Sequence, residues 1–434
     1  MVRARGLIVL TLAVFVAAAC GPSTTPGTSN KGTISIGVDL PESGAAASGG
    51  LSTLNGVKWA VQKAGTLSGW TLTVENRDDA VQGSYNEAKG VQNVQDLIAN
   101  NHVVSMIGPY NSAVAKAEIP ITNPVGLTMI SPSNTNPCLT KDLATCSYHP
   151  QDLRKGKPNN YFRVVATDDL QGPAAATYLY TTLNVHKIGI LDEKTVFGKG
   201  IADAMQAKFQ SLNGTFLRDS YDPATTTDWR NYLNRFKDFG ALGMYVGGTD
   251  DKKACQPRHQ FGQVSGISAW PYLGGDGIET SQCIDDAQPG AIGLTATTAG
   301  ADAGQIPSAA PTITAFKQAF TDPNAYGAYT MSAYDATNIE IEAIKKALAA
   351  GKDPNKIADF REAVRANVAS TSNYQGVLGS TTFDANGDTS AKIISIYSVK
   401  DVGAARAAQG DLTCGKINKT LCYVWVTQFD FAKS

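Results

Sequence analysis

From Lys31 to Gly277 the sequence switches repeatedly between two hydrophobic periods. Short apolar runs of strand length alternate with longer stretches whose apolar residues recur at helical spacing. That rhythm predicts parallel strands joined by helices that cover both faces of a sheet. "TISIGVDL" reads as a strand, and "GLSTLNGVKWAVQKAG" as an amphipathic helix, with Leu54, Val57, Trp59, Ala60 and Val61 near helical spacing. "WTLTVENRDD", "VVSMIGPYNS" and "LTMISPSNTNP" are further strands, separated by helices over "SYNEAKGVQNVQDLIANN" and "AVAKAEIPITNPVG". An irregular segment from Cys138 to Asn160 interrupts the rhythm, which restarts at "NYFRVV". Strands are then expected at "HKIGILDE", "GTFLRDSYD", "LGMYVGG", "AWPYLGGDG" and "AIGLTATT", with helices between them that include "DDKKACQPRHQFGQVSG". Two long helices, starting at Tyr329 and Asn355, precede a closing segment in which Asn386-Gly387 is a turn signal. The chain therefore reads as two α/β halves of similar rhythm.

A chain of 434 residues is long for one core, so two or three domains are expected. Charged residues make up 17%, and the net charge is −1. That balance gives no electrostatic case for nucleic acid or for an anionic membrane surface. The first twenty residues belong to targeting. Arg3 and Arg5 precede the apolar core "GLIVLTLAVF", and "AAAC" follows. Two readings are open: cleavage after Ala19, or a lipoprotein signal in which Cys20 is lipidated and becomes the N-terminus. The small residues before Cys20 and the flexible "GPSTTPGTSNKG" after it favour the second, although Ala17 stands where Leu is usual. Loss of residues 1–20 leaves 35 basic against 38 acidic residues, a net charge of −3.

Six cysteines remain: Cys138, Cys146, Cys255, Cys283, Cys414 and Cys422. An even number in an exported chain suggests disulfides. Local pairing of Cys138 with Cys146 and of Cys414 with Cys422, both in polar, loop-like stretches, is the simplest connectivity and leaves Cys255 with Cys283. Buried free thiols are the alternative.

Catalytic patterns are sparse. No G-x-S-x-G occurs, and the four histidines are scattered, with none paired for a metal. A G-x-x-x-x-G-K match at Gly410–Lys416 has Ile417 where Ser or Thr is required, and it falls inside a cysteine loop. An enzyme, a metal site and a bound cofactor are not expected.

Ligands of open α/β sheets bind beyond the carboxyl ends of the strands. Four such ends are rich in small polar residues: "IGPYNS", "SPSNTNP", "GGTDD" and "GGDG". Small residues admit a ligand to the backbone, and the following helix offers free N–H groups to an anion such as a carboxylate. Ser112 and Thr135 are candidate hydroxyl donors. A helix cap is the competing reading for each, and a turn position is the competing reading for Asp276.

From about Gly32 to about Val399 the chain resembles the type I periplasmic binding proteins of the branched-chain amino acid receptor group, the capture subunits of ABC importers. The stretches that carry the resemblance are "IGPYNS…ISPSNTNP", "YFRVVATDDLQGPAAATYL", "KTVFGKGIADAM", "YLGGDG" and "STTFDANGD". It implies two Rossmann-like lobes with parallel-type sheets joined by a three-strand hinge. Lobe 1 would span 33–160 plus 298–381 and lobe 2 161–297 plus 382–434, after a signal peptide at 1–20 and a tether at 21–32. Ser112 and Thr135, with backbone near Tyr110 and Ser133, would hold a ligand carboxylate. Asp276 would take the ammonium and Phe197 would cover the ligand. Where the family often has aromatic walls, this chain has Gly49 and Thr249. That difference predicts a wider or more polar pocket, suited to a larger or more polar amino acid or another small carboxylate or amide. The implied partners are a small-molecule ligand and an ABC permease, with a lipid-anchored sensor signalling to a membrane partner as the alternative. A monomer, exported and attached to the membrane only through its lipid, is expected.

Overall fold

The computed structural model describes Met1 and residues 30–433. The signal sequence, Cys20 and the tether up to residue 29 lie outside the described residues. The described chain is an α/β structure with two main sheets. In the first, the strand order is Thr66–Leu67, Trp70–Asp78, Gly32–Leu40, Val103–Ile107, Thr128–Ser131, Tyr161–Arg163. All neighbours are parallel except the short Thr66–Leu67 edge. In the second, the order is Thr215–Ser220, Lys187–Asp192, Met244–Gly247, Tyr272–Gly274, Leu294–Thr298, Ile393–Asp401, Leu421–Asp430. Its last two strands run antiparallel to their neighbours.

The central strand of the first sheet shows why the alternation was readable. Ile34, Ile36, Val38 and Leu40 are fully buried and pack under helices Ala47–Ala64 and Thr330–Ala349. On the other side of the sheet, Val94 and Leu97 of helix Glu87–Ala99 join Met106, Ile119 and Met129 in a second cluster. Each such side chain contributes about 1.5–3 kcal/mol on burial, so a strand covered on both faces must be apolar almost throughout. Local signals set the helix starts: Asn86 accepts from Lys89 N–H (2.9 Å), and Thr195 accepts from Gly198 N–H (2.9 Å).

Tyr161–Arg163 pairs with Thr128–Ser131 and so completes the first sheet. The chain leaves that sheet after Arg163, slightly beyond the boundary expected at 160/161. It returns after Thr298 to build helices Thr330–Ala349 and Ile357–Ala369 against the first sheet, then crosses again before Ile393.

Two expectations need correction. The single helix expected over 250–266 is three short turns, Asp250–Lys252, Gln256–His259 and Phe261–Gln263. Lys253 adopts a left-handed φ of 69°, Pro257 restarts the helix, and the bond from Cys255 to Cys283 ties the segment to a neighbouring helix. The segment after Val402 also holds a ten-residue strand, Leu421–Asp430, in the alternating stretch "LCYVWVTQFD"; Cys422 lies in that strand rather than in a loop. All six cysteines are paired, as Cys138–Cys146, Cys255–Cys283 and Cys414–Cys422. Among the described residues, no helix is long and apolar enough to cross a membrane, and no cluster of three or more His, Cys, Asp or Glu could hold a metal ion.

Candidate ligand-binding site

The polar run after Met129-Ile130 is mostly committed to its own architecture. Ser131 Oγ accepts from Asn134 N–H (2.9 Å) and donates to the Pro109 carbonyl (2.8 Å). Ser133 Oγ and Asn134 Nδ2 both donate to the Tyr110 carbonyl, at 2.9 and 2.6 Å. Arg163, fully buried, is the brace behind the loop. Its guanidinium pairs with Asp388 (2.7 Å), donates to the carbonyls of Asn136 (2.7 Å) and Asn134 (3.3 Å), and reaches the Thr140 hydroxyl. The Cys138–Cys146 bridge closes the far end.

One group in this loop is left over. Thr135 Oγ1 is buried and has no hydrogen-bond partner. It lies near enough to the Asp168 carboxylate to hold that acid's pKa down somewhat, without a hydrogen bond of ordinary geometry. An unpaired buried hydroxyl costs about 1–3 kcal/mol, which a bound group can recover. Neither candidate hydroxyl caps a helix. Ser112 is the first residue of helix Ser112–Thr122, behind Asn111, and its Oγ accepts from Asn136 N–H (3.3 Å).

From Thr135 a chain of side chains crosses to the second lobe. Gln171 Nε2 donates to Asp168 (3.1 Å) and to Asp276 (2.6 Å). The other oxygen of Asp276 accepts from the Tyr329 hydroxyl (2.8 Å), and the Tyr329 ring meets Tyr110 edge-on, with centroids 5.9 Å apart. Asp276 is set just after strand Tyr272–Gly274, where Gly275 and Gly277 let Phe197 and Thr249 close in. A Cβ on Gly277 would lie 2.9 Å from the Phe197 ring and 3.0 Å from Thr249. All seven sequence-selected residues, Ser112, Thr135, Ser133, Tyr110, Asp276, Phe197 and Thr249, are thus linked through one interface between the lobes. The backbone carbonyl of Tyr110 and the N–H of Ser133 are already engaged within the first lobe. Asp168, Gln171 and Tyr329 join the site beyond the sequence expectation. The first two lie in "ATDDLQGP", within a stretch that carries the family resemblance, whereas nothing local marks Tyr329.

The second-lobe wall is acidic. Burial pushes Asp276 up to about 6, while the hydrogen bonds from Tyr329 and Gln171 pull it back. Burial also raises Glu193 to about 8, against the hydrogen bonds it accepts from Thr249 N–H (2.8 Å) and Thr195 (2.7 Å). Burial, reinforced by the Asp276 charge, raises Asp168. The lobes are also latched by acids: Ser48 donates to Asp250 (3.0 Å), and Ser84 bonds Asp251.

The space differs from the expectation that Gly49 and Thr249 would widen the pocket. A Cβ on Gly49 would lie 2.6 Å from the Tyr110 hydroxyl, so the Tyr110 ring fills that side. The cavity bounded by Gly49, Tyr110, Asn111, Thr249, Asp250 and Gly277 holds only about 10 Å³, roughly one water. A cavity of about 540 Å³ lies farther out, between helix Ala47–Ala64 and the 319–325 loop.

Residues 33–404 match the sequence model of the periplasmic binding protein family. The chain belongs to that family. This periplasmic binding protein is 28% identical over 361 residues to the Leu/Ile/Val-binding protein homolog 2 of Brucella abortus (strain 2308), covering 82% of this chain and 88% of the relative. Its fold matches the crystal structure of a leucine binding protein, LivK, from Thermotoga maritima with a TM-score of 0.74 at 21% identity, covering 93% of this chain and all of that one. It also matches a solute binding protein of an ABC transporter from R. palustris, in complex with 4-hydroxybenzoate, with a TM-score of 0.72 at 17% identity, covering 92% and 97% of the two chains. At these identities the two structures speak for the fold of this binding protein, and its site residues rest on its own geometry.

Proposed function

We infer that the chain is an extracytoplasmic solute-binding protein that captures an amino acid or related small carboxylate between its lobes and delivers it to an ABC importer, without chemical change. The observation that carries this reading is the buried Thr135 hydroxyl, left without a hydrogen bond of ordinary geometry beside Asp168, at the point where Gln171, Asp276 and Tyr329 link the two lobes. Ser112, Thr135 and nearby backbone hold the carboxylate, Asp276 faces the ammonium, and Phe197 and Thr249 bound the far side. The lobes assigned to this motion are 33–160 plus 298–381 and 161–297 plus 382–434, with the first boundary moved to follow Arg163. Contacts that exist only when the lobes meet let ligand shift the population toward closure. Charge-assisted hydrogen bonds of about 1.5–3 kcal/mol each supply much of a micromolar affinity, about −8 kcal/mol. Relatives named for leucine, isoleucine and valine support an amino acid, while a neighbour with 4-hydroxybenzoate supports a wider class of carboxylates.

A thermal-shift panel of amino acids, amides and aromatic carboxylates tests the reading, because a ligand stabilises the state that binds it. Ser112→Ala and Thr135→Ala should each remove the best ligand's shift while leaving the unliganded melting point nearly unchanged. Binding that survives both substitutions would falsify the carboxylate site. Attachment is assigned to a lipid on Cys20, with the protein monomeric. Cys20→Ser in the full chain should release the protein from membranes, and unchanged attachment would argue for another anchor.

A further inference from the structure

A group of acids in the first lobe is not used by the ligand reading. Asp39 ends the strand Gly32–Leu40, Asp79 follows the strand Trp70–Asp78, and Glu118 lies on helix Ser112–Thr122; all three are fully buried. Asp39 and Glu118 meet across Gly90 of helix Glu87–Ala99, where a Cβ would lie 2.8 Å from Glu118 Oε1 and 3.4 Å from Asp39 Oδ2. They stand close enough to share a proton, and Asp79 is within electrostatic reach of both. Asn93 Nδ2 donates to Asp39 Oδ1 (2.7 Å). The other Asp39 oxygen, both oxygens of Asp79 and of Glu118, and the Asn93 amide oxygen are buried with no hydrogen-bond partner. A site with acceptors and no donors is far cheaper with neutral carboxyls, whose O–H groups supply the missing donors.

The charges that face the group are negative as well: Glu42 from the loop after the strand, Asp78 from the neighbouring strand and Asp251 from the second lobe. Lys58 of helix Ala47–Ala64 acts on Glu42, and Arg77 is turned to Glu75 (2.8 Å). Among the described residues no Lys, Arg or His side chain bonds Asp39, Asp79 or Glu118. Burial pushes Asp39 up to about 7, and burial reinforced by the neighbouring acids raises Asp79 and Glu118 well above the ordinary carboxylate range.

Asp79 is also the root of an arm. Its N–H donates to the Leu40 carbonyl (3.2 Å), and its carbonyl accepts from Asn86 N–H (3.0 Å), so it holds both ends of the hairpin formed by Ala80–Val81 and Ser84–Tyr85. That hairpin reaches the second lobe. Ser84 Oγ and Tyr85 N–H (3.3 Å) donate to Asp251, and the Lys252 ammonium lies 4.2 Å from the centre of the Tyr85 ring.

We propose that Asp39, Asp79 and Glu118 form a proton switch for this contact between lobes: while the carboxyls keep their protons the hairpin root is held and the arm grips Asp251, and loss of a proton puts uncompensated negative charge beneath Asp79 and releases the arm. In the released form water reaches the acids and they ionise in the ordinary range. The gripped form therefore holds protons that the released form gives up, so the grip is complete below that range and is lost as pH rises to about 7. The switch acts on the arm whatever the ligand is, and it stands apart from the head-group reading.

The test is amide hydrogen exchange read by NMR and corrected for the intrinsic rate. Tyr85 N–H reports the bond to the second lobe, Asn86 N–H reports the hairpin root, and Met129 N–H, bonded to the Asn160 carbonyl (2.8 Å), is the reference within the same lobe. Protection at Tyr85 and Asn86 should fall at least about tenfold between about pH 5 and about pH 7, with a smaller change at Met129. Asp79→Asn keeps the shape without the charge and should cut that response to less than about threefold. Glu118→Gln should do the same, and it carries the test if the first variant does not fold. A response that is absent, that appears at Asn86 without Tyr85, that is equal at Met129, or that survives in the folded variants overturns the switch.

Discussion

The two walls of the cleft are built on opposite plans. The first-lobe wall, from Ser131 to Thr140, spends nearly every polar atom on itself. Arg163 and Asp388 brace it from behind, a disulfide closes it, and the Thr135 hydroxyl is left unspent. The second-lobe wall is a row of carboxyls, Asp168, Glu193, Asp250 and Asp276, whose burial keeps them reluctant to ionise. On the proposed reading the first wall would donate to an anion through Ser112 and Thr135. The other holds carboxyls whose ionisation becomes worth its desolvation cost only when a cation arrives. An amino acid, with a charge of each sign, meets both requirements.

The comparison breaks most forcibly at Arg163. Replacing Arg163 by Met leaves Asp388 buried and unpaired and frees the carbonyls of Asn134 and Asn136. A loss of about 3–5 kcal/mol in chemical denaturation is expected, together with loss of ligand binding. The double variant with Asp388→Leu should recover much of the stability but not the binding. If stability alone were at stake, both would return together.

The second wall has its own brace. Cys255–Cys283 holds the turn that carries Asp250 beside the turn that carries Asp276 and Thr280. Replacing both cysteines by Ala should cost about 3–4 kcal/mol by the loop-entropy relation and should loosen the second wall more than the first. Hydrogen exchange would locate the loosening, and equal protection losses on both walls would erase the distinction.

A finer contrast comes from Asp276 in binding. The carboxylate must be ionised to face an ammonium, and its pKa is raised to about 6. Affinity for an amino acid should therefore fall as pH drops through about 6, by up to tenfold per pH unit below it. Asp276→Asn should remove that dependence and weaken amino acids far more than simple carboxylates. Equal losses for the two ligand classes would mean that Asp276 does not meet a cation.

A last contrast is in the unliganded protein. Glu193 and Glu279 are both raised to about 8, and Asp276 to about 6, by burial. In the folded chain they keep protons that the unfolded chain releases in the ordinary carboxylate range, so folding takes up protons between those limits. Stability should decline as pH rises from about 5 to 8, opposite in sign to the amino acid affinity. A melting temperature that climbs over that window would show that the acids are ionised in the folded state.

Much of this molecule was legible in its residues. The apolar runs at Ile34–Leu40 and Val103–Ile107 had to be strands covered on both faces, and the hydroxyls of "SPSNTNP" had to find partners or a ligand. Periodicity and the cost of burying polar groups are local properties, and a sequence carries them openly. What it did not carry was the division of labour among those hydroxyls. Ser131, Ser133 and Thr135 are near equivalents on paper, and only the arrival of Pro109, Tyr110 and Arg163 from elsewhere in the chain decides that the first two are spent and the third is free. Tyr329 joins the site across a sequence distance of 53 residues from Asp276, and Tyr110 swings into the space that Gly49 leaves. Which hydroxyl stays free, and where the room for a ligand lies, depends on contacts between distant segments, and these exist only once the two lobes have folded and met.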